Sequence, residues 1–164
     1  MSLKTVLDHL TPLARSLRKG RVGEGGDPSL LFNAAVEAGY LVAAADGTVD
    51  SAELGTLKRA ILTLAGDELT SDELDSLVDD LVDLRATEGE AERCRAVGSL
   101  LGSHKAADEG LYLAAAIAYA SNGLDRKELS VLERIATAAG MSQASLVTLA
   151  TQVRDDLSRR SLPE

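Results

Sequence analysis

A turn sequence that occurs twice constrains this chain more than any other feature. Residues 43–54 read AAADGTVDSAEL, and a shortened copy, YASNGLDRKEL, returns at residues 119–129. The apolar stripe that follows the first copy, at Leu57, Ala60, Ile61 and Leu64, recurs after the second at Leu132, Ile135, Ala136 and Ala139. A chance match of turn residues does not bring the stripe with it, so we predict an internal duplication with a pseudo-two-fold relation between the halves.

The composition favours an all-α fold. Aromatic residues make up 2% of the 164 residues, and the chain has no Trp and one Phe. Close packing of helices suits such a chain better than a β-sandwich, which relies on aromatic and β-branched residues. A chain of this length is also the usual size of one domain.

Apolar spacing and helix-start residues divide the chain into about seven to eight helices. Residues 1–28 hold a predicted amphipathic helix and a Gly-rich connector, and residues 29–160 a helical domain that packs with it as one unit. The first helix of that domain is predicted to start at its boundary, at Pro28, and the others at Asp50, Thr70, Thr87, Leu111, Asp125 and Ser142. The helix at residues 111–120 is apolar on nearly every side and is therefore expected at the centre.

Charge and cysteine content limit the partners and the compartment. A net charge of −9 repels nucleic acid and anionic lipid, and favours divalent cations or basic protein surfaces. Cys94 is the only cysteine, which excludes an intrachain disulfide and fits a reducing cytoplasm. The longest apolar run is about half the length that spans a bilayer, so stable membrane insertion is not expected.

Carboxylates gather at the first of the two repeated turns. Asp46 follows the carbonyl end of a predicted helix, where the helix dipole opposes a negative charge by roughly 0.3 to 1 kcal/mol. Together with Asp50 and Glu53, it offers three carboxylates beside exposed carbonyl groups, the donor set of a hard cation. We therefore predict a divalent-metal site, with Ca²⁺ favoured and Mg²⁺ or Mn²⁺ as alternatives.

Helix capping explains part of the same pattern without a metal. Asp50 and Glu53 have the spacing of a capping box. In this motif the side chain of the first residue accepts a hydrogen bond from the backbone N–H of the second, and the side chain of the second accepts one from the backbone N–H of the first. The same spacing recurs at Asp125 and Glu128, at Thr70 and Glu73, and at Thr87 and Glu90. For Asp50 and Glu53, capping and metal binding remain equally open.

The second turn carries one negative charge less than the first. Asn122 replaces the acid there, beside Asp125 and Glu128. Its amide oxygen is still a ligand for a hard cation, so weaker metal binding, or none, is expected at this turn. Neither turn has the twelve-residue pattern of an EF-hand.

The repeated Asp-Gly turn in an acidic helical chain resembles the TerB-like tellurite-resistance family over roughly residues 30–155. The resemblance rests on Ala44, Ala45, Asp46 and Gly47 followed by Asp50 and Glu53, and on the copy about 75 residues later. It implies a bacterial helical protein of two pseudo-symmetric halves, linked to tellurite resistance and related stress or phage-defence systems. It also implies metal ligation by Asp46, Asp50 and Glu53, and less surely by Asp125 and Glu128.

Two functions follow from these patterns. The first is a cytoplasmic, non-enzymatic TerB-like module that binds a divalent cation and contacts other proteins in a stress response. The second is a metal-free interaction scaffold that docks a partner through its N-terminal amphipathic helix or its acidic stretch from Asp67 to Asp83. No set of residues with the spacing of a nucleophile elbow or a phosphate loop indicates an enzyme.

Overall fold

Seven α-helices make up the part of the chain that the computed structural model describes, which is residues 30–45, 47, 49, 51–65, 69–122 and 125–161, apart from individual side chains within them. These helices are α1 (Leu30–Ala43), α2 (Ser51–Ala65), α3 (Ser71–Glu88), α4 (Glu90–Ser103), α5 (Ala107–Asn122), α6 (Arg126–Ala138) and α7 (Gln143–Ser161). The all-α prediction is confirmed. The predicted helix within residues 1–28 lies outside the described residues, and the internal duplication stays a prediction.

Helices α1 and α5 form the centre of the domain. They make the most extensive helix contact, and both are buried along most of their length, as predicted for residues 111–120. Their many alanines, such as Ala35, Ala38, Ala114 and Ala115, are fully buried and allow the two helices to approach closely. Each of these helices leads directly into one of the two repeated turns.

The other five helices surround this pair. Helix α4 packs against α1 and α6, α7 lies against α5, and α2 and α3 cover the remaining side. The core is mainly aliphatic, and its largest fully buried side chains include Leu41, Ile61, Leu101, Leu132 and Ile135. No helix in the described ranges combines the length and the apolar character that crossing a bilayer requires.

Several helix ends follow the sequence. Thr70 and Glu73 form the predicted capping box of α3, with each side chain accepting from the other residue's N–H. Ser142 accepts a hydrogen bond from the N–H of Ser145 at the start of α7. Gly140 has a φ of 83° and ends α6 in the left-handed conformation that was predicted for it.

The capping box predicted at Thr87 and Glu90 is wrong. Thr87 still belongs to α3, which continues to Glu88, and α4 begins at Glu90. The single residue between them, Gly89, has a φ of 90° and caps α4 without a side-chain hydrogen bond. Because one glycine alone separates the two helices, there is no room for a separate N-cap residue, and Thr87 has no helix start to cap.

Candidate metal centre and its charged surroundings

The connection between α1 and α2 carries the predicted metal site. Helix α1 ends at Ala43 and α2 begins at Ser51, which places Asp46 and Asp50 in the connection and Glu53 in the first turn of α2. The turn is closed by a 2.8 Å hydrogen bond from the N–H of Gly47 to the carbonyl of Ala44. Asp46, Asp50 and the side chain of Glu53 lie outside the described residues, so their role as ligands stays a prediction.

An arginine from α3 reaches the carbonyl end of α1. One terminal nitrogen of Arg85, Nη2, donates to the carbonyl of Ala44 at 3.0 Å. That carbonyl already accepts from Gly47, and an oxygen with two lone pairs is then fully used. The Ala44 carbonyl is therefore not available as a cation ligand. A positive charge also lies where the helix dipole of α1 favours one.

Arg85 belongs to a chain of charged groups that joins α3, α4 and α6. Its Nη2 also donates to Glu90 Oε2 at 3.1 Å, and Glu90 Oε1 accepts from Arg134 Nη1 at 3.0 Å. The side chains of Arg85 and Glu90 are about one-fifth exposed, whereas Arg134 is half-exposed. Glu90 thus binds two arginines from different helices, and one of them, Arg85, contacts the end of α1.

A second ion pair is more deeply buried. Arg93 in α4 binds Glu37 in α1 through two bonds, Nε to Oε2 at 2.7 Å and Nη2 to Oε1 at 2.8 Å. A third bond, from Nη1, reaches Glu88 Oε1 at 3.1 Å. These hydrogen bonds to carboxylates raise the pKa of Arg93 further above its ordinary value.

Sequence reasoning missed both charged groups. A signal existed for Glu37, because it is an acid on a helix that is otherwise apolar on almost all sides, and buried acids are paired. Its partner Arg93 lies 56 residues away, and Arg85 lies 41 residues from Ala44. Neither distance corresponds to a local helical spacing, so the pairings depend on how the helices pack.

One acid of the second turn, Asp125, caps a helix. Asp125 Oδ1 accepts from the backbone N–H of Glu128 at 2.8 Å and caps α6, as its spacing predicted. Asp125 is exposed, whereas Glu128 is buried with 8% of its surface exposed. The side chain of Asn122 lies outside the described residues. One carboxylate oxygen of Asp125 thus already accepts a hydrogen bond. Metal binding by Asn122, Asp125 and Glu128 stays a prediction.

The described residues do not form a metal-binding cluster. Among them, no group of three or more His, Cys, Asp or Glu side chains is placed to hold a metal ion. The three carboxylates of the first turn were not part of that set. Of the predicted ligands, only Asp125 and Glu128 belong to that set, and metal binding at all six predicted positions stays a prediction.

A shallow groove of about 550 Å³ runs between α4 and α6, with Cys94 at its floor and Arg95 and Arg134 on its rim. Cys94 is 1% exposed, which agrees with its predicted place in the core. Burial raises the pKa of its thiol to about 11, and the nearby charge of Glu90 adds to the rise. The thiol is therefore protonated and unreactive at neutral pH.

A family model described as tellurite resistance protein TerB matches residues 33–151, well over half of the chain. The chain belongs to the TerB family. The match begins within α1 and ends within α7, so the TerB domain includes both repeated turns and all of the charged groups described above. No curated protein and no solved structure shows significant similarity to the chain.

Proposed function

We propose that this TerB-family chain binds a divalent cation, Ca²⁺ in the first place, through Asp46, Asp50 and Glu53. The observation that carries the proposal is the position of the helix ends. Because α1 ends at Ala43 and α2 begins at Ser51, three acids fall within one short connection and the first turn after it. Carboxylates grouped in this way are the usual ligands of Ca²⁺.

In this proposal the protein is a non-enzymatic cytoplasmic module of a bacterial stress response, tellurite resistance included. It acts by contacting other proteins, and the bound cation determines the conformation of the α1–α2 connection. The support for this role is membership of the TerB family and the net charge of −9. The second turn binds more weakly, because Asn122 is neutral and Asp125 already caps α6.

Calorimetry with Ca²⁺, Mg²⁺ and Mn²⁺ tests the cation site. We expect the wild type to bind Ca²⁺, and Asp46→Asn to bind it at least about tenfold more weakly, because one anionic ligand is lost while Asp50 and Glu53 can still cap α2. At a hundred times the dissociation constant, Ca²⁺ is expected to stabilise the wild type by about 2.7 kcal/mol in thermal unfolding.

Asp125→Asn is the matched control, since it makes the same change of charge in the second turn and asparagine also caps helices. We expect it to leave the main Ca²⁺ affinity unchanged. The absence of any heat of binding in the wild type, or equal affinities for wild type and Asp46→Asn, contradicts the site.

A second candidate function is a metal-free interaction scaffold. One face of α3 carries Asp79, Asp80 and Asp83, which are exposed and pair with no basic side chain in the described ranges. Arg85 already provides the positive charge that the end of α1 favours, so the fold does not require a cation there.

A pull-down from a bacterial lysate separates the two functions. A partner that stays bound in the presence of a chelator, and is lost when Asp79, Asp80 and Asp83 become Asn, supports the scaffold. A partner that is lost on chelation and in Asp46→Asn, but retained by the triple variant, supports the cation-dependent module.

A further inference from the structure

We propose that Arg85 is an internal counter-ion for the carbonyl end of α1, and that its charge opposes cation binding at the α1–α2 connection. The first half of this proposal depends on the described geometry alone. The second half rests on the proposed function. Arg85 is a positioning residue here, because it acts on the connection through the end of α1.

The position of Arg85 is fixed by two acceptors on different helices. Its Nη2 donates both to the Ala44 carbonyl at 3.0 Å and to Glu90 Oε2 at 3.1 Å. Its Nε is buried and has no hydrogen-bond partner among the described residues. The guanidinium thus occupies this place although one buried donor stays unpaired within the described part of the chain, a cost that its bonds to Ala44 and Glu90 must offset.

Charge explains what Arg85 does at this place. The last carbonyl groups of a helix carry a partial negative charge, and α1 has no basic residue in its own last turn. Arg85 provides the missing positive charge from α3. Since Glu90 also binds Arg134, its single carboxylate neutralises only part of the Arg85 charge.

A cation in the α1–α2 connection meets the same potential. It is attracted by the acids of the connection and repelled by the charge of Arg85 beside Ala44. Removal of the Arg85 charge therefore strengthens cation binding, whereas removal of the Glu90 charge weakens it. Opposite effects of two neighbouring variants are the signature of charge coupling, because loss of folding weakens binding in both.

Calcium titration of four proteins tests this prediction. We expect Arg85→Gln to bind Ca²⁺ about fivefold more tightly than the wild type, and Glu90→Gln about fivefold more weakly. Arg95→Gln is the matched control: it removes the same charge from an exposed arginine of α4 that pairs with Glu92 on the same helix. Its affinity should equal that of the wild type.

Thermal unfolding in a chelator tests the counter-ion without any bound metal. Arg85→Gln is expected to lower Tm by about 3 °C or more, and Arg95→Gln to leave it unchanged. Arg85→Lys should restore part of the loss, because lysine keeps the charge although it loses the fixed geometry of the guanidinium. A role in packing alone predicts that lysine is no better than glutamine.

The outcomes separate this inference from the proposed function. If no variant binds Ca²⁺, the proposed function fails, and the chelator experiment alone decides whether Arg85 is a counter-ion. If the wild type binds Ca²⁺ but Arg85→Gln and Glu90→Gln shift the affinity in the same direction, the opposition between Arg85 and the cation is refuted while the site remains. Equal Tm values for Arg85→Gln and Arg95→Gln overturn the counter-ion itself.

Discussion

Helix α4 contacts its two main neighbours, α6 and α1, in opposite ways. Against α6 it presents glycines: a Cβ added to Gly98 would lie 2.3 Å from the carbonyl oxygen of Ile135, and one added to Gly102 would lie 2.6 Å from that of Ala139. Against α1 it presents Arg93, a long charged side chain that binds Glu37 through two hydrogen bonds.

The comparison shows two different limits on substitution within one helix. The contact with α6 is close backbone packing, so added volume disrupts it. The contact with α1 depends on opposite charges that are shielded from water, so a missing charge disrupts it. Each contact can therefore be tested by the change to which it should be sensitive.

Loss of the arginine from the α1 contact should have the largest effect. In Arg93→Met, the carboxylate of Glu37 remains buried, with 7% of its surface exposed, and has lost its bidentate partner. We expect the free energy of unfolding to fall by about 3 to 5 kcal/mol. Urea denaturation at pH 7 measures the change.

The double variant Glu37→Met with Arg93→Met is the control for that experiment. Because it removes both charges and fills the space with apolar atoms, we expect it to recover most of the stability lost in the single variant. A double variant that is as unstable as the single one would show that packing of the Arg93 stem, rather than the charge pair, stabilises the α1 contact.

Added volume should affect the α6 contact next most strongly. Gly98→Ala places a methyl group against the α6 backbone, which cannot move as a flexible side chain can, and we expect a loss of about 3 kcal/mol. Gly55 in α2 is the matched control, since a Cβ there meets no atom within 4 Å. Gly55→Ala should stabilise the protein by up to about 1 kcal/mol, as alanine does in a helix. A neutral Gly98→Ala would contradict the close packing.

The sequence allowed prediction of the helices but not of these two contacts. Helix existence depends on local signals, and the apolar period together with Thr70, Asp125 and Ser142 indicated where several helices begin. The error at Thr87 arose because a capping pattern was assumed to start a helix, although Gly89 alone makes the break. Local spacing does not show whether a neighbouring glycine already supplies the cap.

The partners of the charged residues required the tertiary fold. Glu37 and Arg93 are 56 residues apart, and their pairing depends on how α1 and α4 pack. The same holds for Arg85, whose contact with Ala44 provides a positive charge that the sequence alone suggested a metal ion would supply. The acids of the first turn indicated a candidate site in the sequence. No local sequence pattern indicated that the positive charge of Arg85 lies close to it.

The effect of pH on the Cys94 thiol shows how well the side of α4 that faces α6 is shielded from water. Burial raises the pKa of the thiol from the ordinary 9.0 to about 11. As the pH rises, the thiol of the unfolded chain therefore ionises before the thiol of the folded protein. The contribution of this group to the free energy of unfolding is present below pH 9 and is lost as the pH rises through 11. At pH 10 we expect the wild type to have lost about 1.4 kcal/mol relative to Cys94→Ala, measured by denaturation at pH 8 and pH 10. Parallel changes in the two proteins would show that the thiol is not shielded.

The start of α6 should matter least, because the glycine contact with α4 lies in the second half of that helix. Asp125→Ala removes the hydrogen bond to the N–H of Glu128 and is expected to reduce the free energy of unfolding by about 1 kcal/mol. Asp125→Asn keeps the cap and should remain within a few tenths of a kcal/mol of the wild type. If Asp125→Ala is instead as damaging as Gly98→Ala, the contact between α4 and α6 depends on the N-terminal end of α6, and close packing at Gly98 is not its main support.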